Sequence, residues 1–218
     1  MTTKHLAAGA ALAAACLAAE PSVAQAPKQS SAPASFTVIS PVFSQLVSFS
    51  MPSNFVAGYE NTNGGNYTRE AVPKGESLQK WTEMITVTGA KGLAAAPNAS
   101  AEKFAGTIAG GFQRACPDSF AAKGSVLRTG GLDAFVSVVG CGKVGNGADV
   151  RSETALIVAI KGSADIYSVQ WAERGAPAGK ADVENAKWQE RLRQLGPLRV
   201  CAIVPGEKAP YPSCLGKP

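Results

Sequence analysis

The sequence predicts an α+β protein: a mainly antiparallel sheet packed against two helices and braced by disulfides. Three observations predict it. Short stretches of alternating apolar and polar residues are separated by turn-forming clusters, which is the signature of antiparallel strands. Two longer stretches change to a helical period. Four cysteines follow an export-like leader, an even count that fits a disulfide framework.

The elements read in order as follows. Residues 25–35 are rich in Ala, Pro, Ser and Gln and read as a disordered lead-in, with order starting near Phe36. Phe43 to Phe49 alternates and stops before Pro52, as a first strand. Phe55 to Glu60 and Tyr67 to Val72 flank Asn61-Thr62-Asn63-Gly64-Gly65-Asn66, so they read as a hairpin. Pro73-Lys74-Gly75 is a further turn, and Trp81 to Thr88 is the fourth strand. Asn98 or Ser100 can then cap a helix that carries Phe104, Ala105, Ile108 and Phe112 on one face and ends at Cys116-Pro117. A second block of strands covers Ser125–Arg128, Leu132–Val139, Thr154–Lys161 and Ile166–Ala172. A second helix over Ala181–Leu195 is stopped by Gly196-Pro197, and Leu198 to Val204 is the last strand. The two halves share an element order but no residue repeat.

The domain reading is a signal peptide over 1–24, the lead-in over 25–35 and a single α+β domain over 36–218. Lys4 gives a basic start, Leu6 to Ala19 is small and apolar, and Ser22-Val23-Ala24 offers a cleavage site after Ala24. Ala24-Gln25-Ala26 is a second site, disfavoured by Pro27. Lipid attachment at Cys16 is a third, minority route. The expected location is periplasmic or secreted, or an outer-membrane lipoprotein if Cys16 is used. The run from Leu6 is too short and alanine-rich to be retained as a membrane span, and no other stretch is long enough.

The formal net charge is +5, with lysines and arginines scattered rather than clustered. A nucleic-acid groove needs clustering, so nucleic acid is not an expected partner. Cys116, Cys141, Cys201 and Cys214 permit three connectivities; chain order favours Cys116–Cys141 and Cys201–Cys214. The second pair would pin the proline-rich tail of Pro205, Pro210 and Pro212.

The single histidine, His5, lies in the leader. The mature chain therefore has no imidazole for general-base, triad or zinc chemistry, and neither a metal nor any other cofactor is expected. Gly140-Cys141-Gly142-Lys143-Val144-Gly145 matches the dinucleotide fingerprint, but no helix follows, so a glycine-rich hairpin loop is the reading. Ser77/Lys80 and Ser100/Lys103 have the spacing of serine–lysine acylases, without that chemistry's companion motifs. Ser100 and Lys103 are the better pair, and helix capping competes as the role of Ser100. Tyr67, Arg69 and Trp81, beside glycine-rich turns, are the candidates for an exposed aromatic binding patch.

The stretch from Tyr67-Thr68-Arg69-Glu70 through Trp81-Thr82-Glu83-Met84-Ile85-Thr86 resembles a family of uncharacterised exported proteins of Gram-negative bacteria. Cys116-Pro117 and the blocks Glu153–Leu156 and Tyr167–Gln170 fit the same resemblance. It implies no activity. The element order is also similar to PsbP-like domains, which implies a binding or assembly module. The expectation is a non-catalytic exported binding or accessory protein whose partner is an envelope protein or polymer. A histidine-free hydrolase using Ser100 and Lys103 and a small-ligand carrier with a pocket between sheet and helices are the alternatives.

Overall fold

The computed structural model describes residues 1–2 and 34–215. The expected signal peptide beyond Thr2, Cys16 and nearly all of the lead-in lie outside the described residues.

Among the described residues, ten strands form two antiparallel sheets. The larger has seven strands in the order β3 (Phe55–Asn63), β4 (Asn66–Pro73), β5 (Glu83–Ala90), β9 (Ile166–Gly175), β8 (Arg151–Lys161), β7 (Leu132–Val144), β6 (Phe120–Thr129). The smaller has the order β1 (Ser35–Val42), β2 (Gln45–Pro52), β10 (Arg199–Ala202). Helix α1 spans Ala101–Ala115, α2 spans Lys187–Leu195, and a short α3 spans Pro212–Leu215. The fold class is α+β.

Side-chain alternation along β8 shows how the layers assemble. Every residue from Thr154 to Ile160 is buried. Leu156, Val158 and Ile160 point to one face, where they join Val47 and Phe49 of the small sheet and Trp188 and Leu195 of α2. Ala155, Ile157 and Ala159 point to the other, where they meet Ala101 and Ala105 of α1, with Phe104, Ile108 and Phe112 packed alongside. The alanines on this second face let α1 approach closely. The result is three layers: α1, the large sheet, and the small sheet with α2. Each fully buried Leu, Ile or Val contributes about 1.5–3 kcal/mol, so β8 is the strand least tolerant of a polar change.

Both disulfides span layers or tie down chain ends. Cys116 at the end of α1 bonds to Cys141 of β7, across 25 residues. Cys201 of β10 bonds to Cys214 of α3, across 13. These are the pairs that chain order favours. Loop entropy gives each about 3 kcal/mol of stabilisation.

Four expectations need correction. The first strand is not Phe43–Phe49. Phe43 adopts φ 54° and, with Ser44, turns the chain between β1 and β2. Pro41 argues against a strand over 35–42, yet β1 is an edge strand, where a proline costs no ladder bond. The second helix starts at Lys187 rather than Ala181. Upstream, Ala178 N–H donates to Gly142 O and Ala181 N–H donates to Ser119 O, so tertiary pairing overrides helical propensity. The last strand is shorter than Leu198–Val204 and belongs to the small sheet. Finally, Gly140–Val144 is the end of β7, with a register shift against β8, not a loop. A Cβ on Gly142 would lie 2.5 Å from Lys180 C and 2.6 Å from Ala178 O. That glycine serves the close approach of two backbones.

Candidate functional site

The aromatic patch expected at Tyr67, Arg69 and Trp81 is not exposed. Tyr67 is 5% exposed and Trp81 7%. Tyr67 belongs to the main core, and its hydroxyl donates to Glu60 Oε1 at 2.8 Å. Burial and the Glu60 carboxylate both push its phenol up. Arg69, two residues along β4, is half-buried and donates from Nη1 to Ser40 Oγ of β1 at 2.9 Å. Trp81 packs with Val72, Met84 and Leu78, and the Arg174 guanidinium covers its ring at 3.6 Å. Tyr67 and Trp81 sit in separate clusters. The glycine-rich turns were visible in sequence; the second sheet that covers Tyr67 was not.

Ser100 caps α1, and Ser77 closes a turn. Ser100 Oγ accepts the backbone N–H of Lys103 at 3.1 Å, and Ser77 Oγ accepts that of Lys80 at 3.1 Å. At α1 this satisfies a first-turn N–H that has no partner within the helix, whereas the Lys80 N–H also donates to Ser77 O at 3.1 Å.

An apolar groove lies between the outer strands and α2. The second face of β6 and β7 extends past the small sheet, and α2 packs over β2 and β8 beside it. The groove between them encloses about 550 Å³. Leu127, Val136, Val138 and Leu156 form the sheet wall, and Trp188 and Leu192 form the helix wall. Lys123, Glu184, Asn185, Gln189 and Arg193 stand around it. Lys123 pairs with Glu184 at this rim. At the edge strand, Val126 is 78% exposed. Apolar walls with a few polar groups at the mouth, in this size range, are the usual form of a small-molecule site.

A charged clamp holds the helix wall. Arg191 of α2 donates to Glu173 of β9 at 2.7 Å and to Glu83 of β5 at 2.8 Å, and lies over the Trp171 ring at 4.4 Å. Lys187 donates to the other oxygen of Glu173 at 2.7 Å. Burial tends to raise the Glu173 carboxyl, but Lys187 and Arg191 outweigh it and hold the group below its ordinary range. At Glu83 burial prevails over Arg191 and the carboxyl is raised.

A second, smaller cleft opens at the end of α1 on the opposite face of the large sheet, with Arg151, Glu153 and Arg174 at its base. Sequence reading did not bring Glu153 together with the two arginines. The available signal was the strand register, since Glu153 and Arg174 are direct cross-strand partners. Among the described residues, no group of three His, Cys, Asp or Glu is placed to hold a metal ion. No helix among them is long and apolar enough to cross a membrane.

No protein-family model matches the chain, and no curated protein matches it. Solved structures with a distant likeness include the following two. One is a protein from Bacteroides thetaiotaomicron VPI-5482, 14% identical, with a TM-score of 0.38, covering 74% of this chain and 47% of that one. The chain thus spans about half the length of that protein. The other is LpqN, involved in cell envelope biogenesis of Mycobacterium tuberculosis, 10% identical, with a TM-score of 0.39, covering 77% of this chain and 91% of that one. At these TM-scores neither likeness carries an argument about function.

Proposed function

We propose that the protein is a non-catalytic binding protein of the bacterial envelope that carries a small, largely apolar ligand in the groove between β6–β7 and α2. The observation that carries the reading is the groove itself: about 550 Å³ walled by aliphatic side chains and Trp188. The accessory-protein reading drew its support from an exposed aromatic patch, and burial of Tyr67 and Trp81 removes that support. The carrier reading required a cavity between sheet and helix, and one is there.

Export rests on the leader over 1–24 and on the two disulfides, which form in oxidising compartments. The resemblance of Tyr67–Thr86 to exported Gram-negative proteins supports a periplasmic or secreted location. Ser100 as a helix cap supports the absence of serine–lysine catalysis. Ser100→Ala is expected to cost stability, about 1 kcal/mol, and to leave any ester or amide hydrolysis by the protein unchanged.

The test is titration with N-phenyl-1-naphthylamine, an apolar fluorescent probe. Saturable binding is expected. Val138→Phe, which narrows the groove, is expected to weaken it about tenfold, or about 1.4 kcal/mol. Absence of saturable binding, or equal binding by V138F, would sink the carrier reading.

A further inference from the structure

The cleft at the C-terminal end of α1 is built from different chemistry. It encloses about 360 Å³, with Ile108 and Phe112 of α1 and Val144 of β7 as apolar walls. Its base holds two guanidinium groups and one carboxylate. Arg174 Nε donates to Glu153 Oε2 at 2.9 Å, and Arg151 Nη2 lies 3.6 Å from the same oxygen. Arg151 Nη1 donates to Asp149 O at 3.0 Å. Arg151 Nε is buried and has no hydrogen-bond partner. Arg174 Cζ lies 3.6 Å from the centroid of the Trp81 ring.

We propose that this cleft binds a small carboxylate with an apolar body, at a site separate from the groove beneath α2. Two guanidiniums against one carboxylate leave a local excess of one positive charge, which suits a monoanion. A dianion would meet the charge of Glu153. A guanidinium presents parallel N–H donors matched to the two oxygens of a carboxylate, so a ligand here is held in a defined plane. Bracing of β8 to β9 requires only the Glu153–Arg174 pair. It does not need the second arginine, which shares the same carboxylate oxygen. The apolar walls stand on the α1 side, so the body of the ligand would lie against Ile108 and Phe112 while its carboxylate faces the sheet.

The experiment follows the arginine Nε–Hε signals of the exported protein by proton–nitrogen NMR during titration with phenylacetate. The matched uncharged probe is 2-phenylethanol. Phenylacetate is expected to shift the Arg151 Nε–Hε signal saturably, and 2-phenylethanol to leave it in place. Arg151→Gln is expected to weaken phenylacetate binding at least about tenfold while the circular dichroism stays that of the parent. An Arg151 signal that does not move, one that moves equally with both probes, or undiminished affinity in R151Q overturns the proposal. Should R151Q not fold, the comparison of the two probes on the unaltered protein decides alone.

Discussion

Asp165 shows most plainly how a single side chain holds separated loops together. It is 2% exposed. Its Oδ2 accepts Ser44 N–H at 3.1 Å, the Ser44 hydroxyl at 2.5 Å and the Tyr167 hydroxyl at 2.9 Å, and its Oδ1 accepts Gly92 N–H at 2.7 Å. Burial alone would raise its carboxyl, but these donors outweigh it and the group is held below its ordinary value. A carboxylate with a depressed folded pKa contributes stability above its unfolded pKa, near pH 4, and loses it as pH falls through the folded value. Asp165→Asn turns an amide N–H₂ toward donors and should cost about 2–3 kcal/mol at pH 7 in urea unfolding. The deficit should shrink at pH 3, where the parent is losing the same contribution; a deficit that does not shrink would contradict the role of the charge. None of this was legible in the sequence, because Ser44 lies 121 residues from Asp165 and Gly92 lies 73. For the same reason Tyr67 and Trp81 could be recognised as anchors but not as buried ones.

Among the elements, α1 was the most legible. Its cap at Ser100 and its stripe of Phe104, Ala105, Ile108 and Phe112 lie within one local period, and no distant contact is needed to find them. Helix α2 was legible only at its end, where Gly196 stops it, because its start is set by contacts of the preceding segment with β7 and Ser119. The glycine-rich run Gly140–Gly145 was misread for a related cause: its glycines answer to neighbours far along the chain. Gly142→Ala should therefore destabilise by about 1–3 kcal/mol, because the new methyl meets the backbone of Ala178 and Lys180. Gly179→Ala, with nothing within 4 Å of its Cβ, should stay within about 0.5 kcal/mol. Equal effects at the two positions in urea unfolding would contradict the packing argument. Replacing Cys116 and Cys141 together by serine should cost about 3 kcal/mol and release the end of α1, read as faster amide exchange over its last turn.

At the scale of the whole molecule, the class and most strand segments follow from alternation, whereas the division into two sheets does not. The small sheet joins the first two strands to the last, a pairing that no local pattern encodes. That division creates the groove, because the small sheet leaves part of β6 and β7 uncovered and α2 stands beside them. Arg191 ties the helix wall to Glu83 and Glu173 of the large sheet, with Lys187 as a second tie to Glu173. Arg191→Met keeps an apolar stem over Trp171 and removes both ion pairs. Two partly buried carboxylates are left with Lys187 as their remaining cation, which should cost about 2–3 kcal/mol. Loss of Arg191 raises both carboxyl pKa values, so the unpaired charges are costliest above those values. The deficit should be larger at pH 8 than at pH 5. With the helix wall loosened, N-phenyl-1-naphthylamine should bind more weakly to R191M. Phenylacetate should bind as before, since Arg151 and Arg174 lie on the opposite face of the sheet. If both probes weaken together, the two clefts are not independent; if neither does, α2 does not form a wall of the binding groove.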